Sequence, residues 1–138
     1  MNYLHSACAL AVIGTLAMAN TSMAATPTLD DRIATANHVA AVSSSYHVIA
    51  RISGLLLFCG QDTLKDAINQ KITRDVMFDG KAGADFVQVD QSLRSYSEGV
   101  ATGLMLAVVP ASKKAAICAK SVEMAEQLLK QDHAASKP

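Results

Sequence analysis

The chain has 138 residues, 12 Lys and Arg against 12 Asp and Glu, 4% aromatic residues and no Trp. That neutral balance gives no electrostatic case for nucleic acid or an anionic membrane surface, and so few aromatics argue against a stacking surface for bases or sugars. The length suits one domain whose core is built from Leu, Ile, Val, Ala and Met.

Residues 7–19 (ACALAVIGTLAMA) form an apolar run of 13. That is the length of a signal-peptide core and falls short of the roughly 20 residues a bilayer span needs. Ser22 and Ala24 then place small residues where a cut before Ala25 requires them, although the opening MNYLHS carries no Lys or Arg. The reading is a cleaved signal over residues 1–24 and a single helical domain over 25–138, with a flexible tail from about residue 132. The mature chain is expected in the periplasm of a bacterial envelope or secreted, without stable membrane insertion. Cleavage discards Cys8 and leaves Cys59 and Cys118. In an oxidising compartment, two cysteines are most simply a disulfide.

Thr28 or Asp30 can cap a first long helix, with Asp30 and Asp31 placing negative charge in its first turn. Thr35, Val39, Val42, Tyr46, Ile49, Ser53 and Leu56 recur at steps of four and three, which predicts one helical stripe running to Phe58. Asn37, Ser44, His47 and Arg51 fall opposite, and residues 55–58 are apolar all round. Gly60 ends this helix, and Asp62 or Thr63 can cap a second. Leu64, Ala67, Ile68, Ile72 and Val76 are predicted on its inner face, with Lys65, Asp66, Asn69, Lys71 and Asp75 outside. Residues 78–84 (FDGKAGA) read as a loop.

Asp85 can cap a third helix, striped by Phe86, Val89, Leu93, Tyr96, Val100, Gly103 and Ala107. Its second half, GVATGLMLAVV, is apolar on every side and stops at Pro110. Gly99 and Gly103 lie one helical turn apart and predict a bare face where a neighbour can approach closely. Ser112 can cap a last helix with Ile117, Cys118, Ser121, Val122, Ala125, Leu128 and Leu129 inside. The fold expected is all-α, a four-helix up-down-up-down bundle. In that topology Cys59, ending the first helix, meets Cys118 near the start of the fourth.

Catalytic and metal chemistry find little support. Cys59 follows LLLF with no base beside it, no CxxC occurs, and there is no phosphate loop or cofactor fingerprint. His38 and His47 are nine residues apart, about 180° around one helix, so they face opposite ways. Ser43 and His47 are spaced to touch, but no carboxylate orienter or oxyanion loop accompanies them. No catalytic residue, metal ligand or cofactor is expected, and the chain does not read as an enzyme. Arg94, Tyr96, Glu98, Gly99 and Gly103 are the candidate partner-binding residues, with an Arg94–Glu98 pair as the plain structural role for those two. The expected function is binding another protein, as an inhibitor or immunity-type protein or as a chaperone or secretion accessory. Pairing with itself as a homodimer would use the same apolar helices. The alternative is a small-ligand or metal-binding helical bundle of the envelope.

Overall fold

The computed structural model describes residues 25–135, with side chains through residue 131, so the predicted signal segment lies outside the described residues. Within them the chain is all-α: α1 (Leu29–Ser44), α2 (His47–Phe58), α3 (Asp62–Asp79), a 3-10 turn (Gly83–Asp85), α4 (Phe86–Leu106) and α5 (Ala111–Ala135). No strand occurs among the described residues. Residues 136–138 of the expected tail also lie outside them.

The single long first helix of the sequence reading is in fact two, α1 and α2, bent by 71°. The four-helix count is therefore corrected to five. The bend falls on Ser43, Ser44 and Ser45, whose hydroxyls compete with the helix for backbone partners. Ser44 Oγ donates to the Ala41 carbonyl at 2.7 Å, and the Tyr46 amide reaches back only three residues, to Ser43, at 2.9 Å. Tyr46 is buried, and its hydroxyl donates to the Asp79 carboxylate at the end of α3. Burial, then Asp79, pushes the Tyr46 phenol up to about 12. An apolar stripe that keeps its phase across the serines hides this break from a periodicity reading.

The helix ends follow their local chemistry. Thr28 caps α1 reciprocally with Asp31: the Asp31 amide donates to Thr28 Oγ1 at 3.2 Å, and the Thr28 amide donates to the Asp31 carboxylate at 2.9 Å. The Thr28 hydroxyl, donating to the Asp31 carboxylate at 2.7 Å, and then the Thr28 amide hold that carboxyl below its ordinary value. At the end of α2, Gly60 is left-handed (φ 69°), its amide bonds Leu57 O, and the Gln61 amide bonds Leu56 O. That pattern is a Schellman closure, which needs a glycine at the left-handed position. Helix α3 runs two residues further than expected, through Phe78 and Asp79, before left-handed Gly80 stops it.

The core lies where α2, α3 and α4 converge. Ala50, Ile52 and Leu56 of α2 meet Ile68, Ile72 and Val76 of α3 and Val89 and Leu93 of α4, and Ala125 of α5 closes the cluster. Every other helix of that group packs on α2, and α1 packs on α4. Ser53 is fully buried but satisfied, its hydroxyl donating to Asn69 Oδ1 at 2.6 Å. Lys71, expected outside, is only 8% exposed. Its ammonium bonds the Asp75 carboxylate at 2.7 Å, while its methylene stem covers core surface.

The predicted close glycine approach moves to a different residue. An added Cβ at Gly99 or Gly103 would meet nothing within 4 Å. Gly54 of α2 is the glycine against which α4 crosses: a Cβ there would overlap the Ser97 carbonyl oxygen and lie 2.9 Å from Val100 Cβ. The buried row of α4 advances in steps of four through Val89, Leu93, Ser97 and Ala101, which turns Gly103 and Ala107 out to solvent.

Cys59 and Cys118 form the disulfide pair, with Cα atoms 5.6 Å apart. Cys59 caps α2, and Cys118 lies within the second turn of α5. Beside it the Lys114 ammonium stands 4.8 Å from the centre of the Phe58 ring, a second tie between the same two helices.

Candidate functional site

The five candidate partner-binding residues share α4 but not one face. Arg94 and Tyr96 are two positions apart, which separates them by about 160° around a helix. Arg94 turns toward α3, donating to Asp90 at 2.8 Å and to Thr73 Oγ1 at 3.2 Å, so its i,i+4 ion pair is with Asp90 and not with Glu98. It borders a polar cleft with Asp66, Asn69 and Gln70. Tyr96 turns the other way and stacks on His47 of α2, ring centroids 4.3 Å apart and planes within 3°. Glu98, Gly99 and Gly103 are exposed. The apolar residues at and just past the end of the same helix, by contrast, are bare: Met105 is 56% exposed, Leu106 77% and Val108 84%.

Val108 is also the described non-glycine residue with positive φ, at 48°. A β-branched side chain in that region is sterically disfavoured, by roughly 1–2 kcal/mol. It sits between the end of α4 and Pro110, where the chain must reverse in four residues before α5 begins at Ala111. Neither asparagine nor glycine, the residues suited to this conformation, occupies the position.

Next to this end lies an open groove of about 400 Å³. Helix α2 lines it with Val48, Arg51, Ile52 and Leu55, and α5 with Ile117, Lys120, Ser121 and Met124. Leu104 of α4 completes the lining. On both α2 and α5 the residues follow i, i+3, i+4, i+7, two helical turns or about 10 Å of length. The Ser121 hydroxyl is fully buried and donates to Ile117 O at 2.7 Å, so the surface that remains is apolar apart from Arg51 and Lys120. No lining residue is acidic. Neither cation has an ion-pair or hydrogen-bond partner among the described residues.

The histidines do other work. His38 Nδ1 lies 2.7 Å from the Asp85 carboxylate and Nε2 lies 3.0 Å from Lys81 O, so the imidazole ties α1 to the turn before α4. The hydrogen bond to Asp85 raises the His38 pKa above 6.5. Asp85, expected to cap α4 through its side chain, makes no such bond and is used here instead. Nearby, Asp79 accepts from Tyr46 and pairs with Lys81 at 3.0 Å, and both hold its carboxyl below the ordinary value. His47 makes no hydrogen bond to Ser43, whose buried hydroxyl has no partner among the described residues. Among those residues no group of three or more His, Cys, Asp and Glu side chains is placed to hold a metal ion.

The groove was not visible as a groove in the sequence. The sequence pattern puts Arg51 on the polar face of a single first helix and Ile117 inside the last one. The available signal was the surplus of apolar positions: residues 55–58 have more faces than one neighbour covers, and Val48 and Met124 fall beside the predicted stripes. No family model, curated protein or solved structure matches this chain.

Proposed function

We propose that this chain is a non-enzymatic, exported envelope protein that binds another protein. The observation that supports it is the exposed apolar end of α4, with Leu106 and Val108 turned to solvent next to the α2–α5 groove. A small domain with a complete core of its own has no folding reason to keep such a patch together, and large exposed apolar patches mark interaction sites. The conformation of Val108 points the same way. A residue whose backbone geometry costs stability and whose side chain is bare in the isolated chain is explained if the side chain is used elsewhere. An inhibitor or immunity-type role and a chaperone or secretion-accessory role both fit this surface.

The test compares capture from an envelope extract by the purified, oxidised protein and by its Leu106→Glu and Val108→Glu variants, all three confirmed folded by melting. A partner retained by the parent and lost by both variants is the expected result. Identical recoveries from all three would refute the reading. N-terminal sequencing of the recovered protein should begin at or near Ala25; an intact Met1 on membrane-bound protein would overturn the exported part.

A second reading, a small-ligand binder, is favoured by one observation. A groove of about 400 Å³ falls within the ~300–1,000 Å³ range of small-molecule sites.

A further inference from the structure

We infer that the α2–α5 groove is the seat for a single amphipathic helix of the partner, one whose apolar stripe is flanked by carboxylates. The inference rests on the protein-binding reading and names what the partner presents. Each wall offers an i, i+3/i+4, i+7 set, Val48 to Leu55 on α2 and Ile117 to Met124 on α5. A ligand helix lays down two turns of side chains with the same spacing, the recurrent helix-in-groove arrangement. Arg51 and Lys120 fall in the middle of those two sets, one on each wall. A helix lying along the groove therefore meets a cation on both flanks of its apolar stripe.

Charge decides between occupants. No carboxylate lines the groove, and neither Arg51 nor Lys120 is neutralised among the described residues. A second copy of the chain docked groove to groove would bring four cations together, because a two-fold interface presents the same patch twice. Like charges so placed disfavour that assembly. A fatty acid would satisfy the charge, but a small ligand is normally enclosed over most of its surface. This groove is open along one side, with Val48 73% exposed, and the chain leaves Leu104 for the bare apolar residues Met105 and Leu106. A surface that extends past the groove suits a partner larger than one acyl chain.

The test uses three synthetic helices of about three heptads, identical along a leucine stripe and flanked by Glu, Gln or Lys. Their binding to the oxidised protein is read by fluorescence polarisation at low and high salt. The Glu-flanked helix should bind tightest and the Lys-flanked helix weakest. With each exposed pair worth up to roughly a factor of five, the two cations together give a preference of up to about 25-fold. High salt should narrow that preference. Arg51→Glu with Lys120→Glu should reverse the order, and melting should be little changed because neither side chain has a partner to lose. Equal binding of the Glu and Lys helices, or binding of none, overturns the inference. So does complete displacement of the Glu helix by micromolar dodecanoate, which marks an acyl-chain site. A parent protein that sediments as a dimer and becomes a monomer on Leu55→Glu overturns it as well. If capture from extract depends on Leu106 but is indifferent to Arg51 and Lys120, protein binding stands and the acidic-helix seat fails. If no variant alters capture, both fail.

Discussion

Gly54→Ala isolates the contact that sets the distance between α2 and α4. In a solvent-exposed helix, replacing glycine by alanine stabilises by roughly 1 kcal/mol, because the glycine backbone has more freedom to lose. At Gly54 the new methyl would overlap the Ser97 carbonyl oxygen and lie 2.9 Å from Val100 Cβ. The first of these is backbone, which cannot swing aside as a side-chain end can. Relief requires α2 and α4 to part by something near 1 Å, and a gap of that size forfeits about a quarter to a half of each dispersion contact across the seam. The seam carries Leu56, Val89 and Leu93, all fully buried. Overpacking of this kind costs about 1–3 kcal/mol and occasionally more. After the helix-propensity gain, the expected net loss is up to about 2 kcal/mol, a sizeable part of the roughly 5–15 kcal/mol that holds a domain folded. Gly99→Ala and Gly103→Ala are the internal controls, since an added Cβ meets nothing within 4 Å at either. Each should gain up to about 1 kcal/mol. Urea unfolding of the three variants measures the contrast in sign. A Gly54→Ala protein as stable as the parent would refute the close crossing, and losses at Gly99 or Gly103 would move it to α4's outer face.

Three further outcomes are expected. Cys118→Ser opens a loop with a sequence separation of 59 residues, for which chain entropy gives about 4 kcal/mol; non-reducing peptide mapping should recover the linked pair from the parent, and free thiols in freshly isolated protein would contradict it. His38 faces two acceptors, the Asp85 carboxylate and the Lys81 carbonyl, and only the imidazolium donates to both. Its folded pKa is raised above 6.5, so its stabilisation is fully present below that value and is lost as pH rises through the folded pKa. The melting difference between parent and His38→Gln should therefore shrink from about pH 6 to about pH 8, and a difference that grows with pH would refute the assignment. Val108→Gly relieves a positive φ of 48° and should stabilise by up to about 1 kcal/mol; if it also weakens partner capture, the strain is linked to use, whereas unchanged capture confines Val108 to the turn.

Much of the fold was legible because it rests on local rules. The start of α1 at Thr28 or Asp30, the Gly60 stop and the inner row of α3 follow from residue types at fixed offsets, while the Cys59–Cys118 pairing follows from the cysteine count and the antiparallel run of helices. The errors have a common cause, which is that periodicity records which residues are apolar and not where the neighbour lies. The stripe from Thr35 to Leu56 keeps its phase across three serines, so the 71° bend between α1 and α2 left no mark on it. Gly99 and Gly103 have the spacing of a close crossing, while the crossing itself uses one glycine, Gly54, just before the run 55–58 that reads as apolar all round. Lys71 was placed outside by its charge, but the position is covered and Asp75 one turn on provides the partner. The candidate site was legible only as surplus, too many apolar faces on α2 and α4. Arg94 and Tyr96 were grouped by nearness in sequence, although helical geometry sends them to α3 and α2 respectively.

The disulfide and the groove belong to one argument. Leu55 lies one turn before Cys59 on α2, and Ile117 precedes Cys118 on α5, so the bridge joins the two walls beside residues that line the groove. Lys114 over the Phe58 ring ties the same helices again. Neither link supplies binding surface. Their effect is to fix the spacing of two helices whose facing sides are not filled by core residues at that point, which is the condition for an open apolar groove to persist instead of collapsing. A wall separation fixed before the partner arrives removes part of the ordering cost of association. The groove thus depends on the staple in a way the main core does not, because Ile68, Ile72, Val76, Val89 and Leu93 meet α2 without help from α5's first turns. Mild reduction that leaves the protein folded should therefore loosen the groove before it disturbs the core. Hydrogen exchange should show this as the largest acceleration in the first turns of α5, beyond the general acceleration that the lost chain-entropy contribution gives α3 and α4. Uniform acceleration across all the helices would mean that the staple holds the whole bundle and has no special relation to the groove.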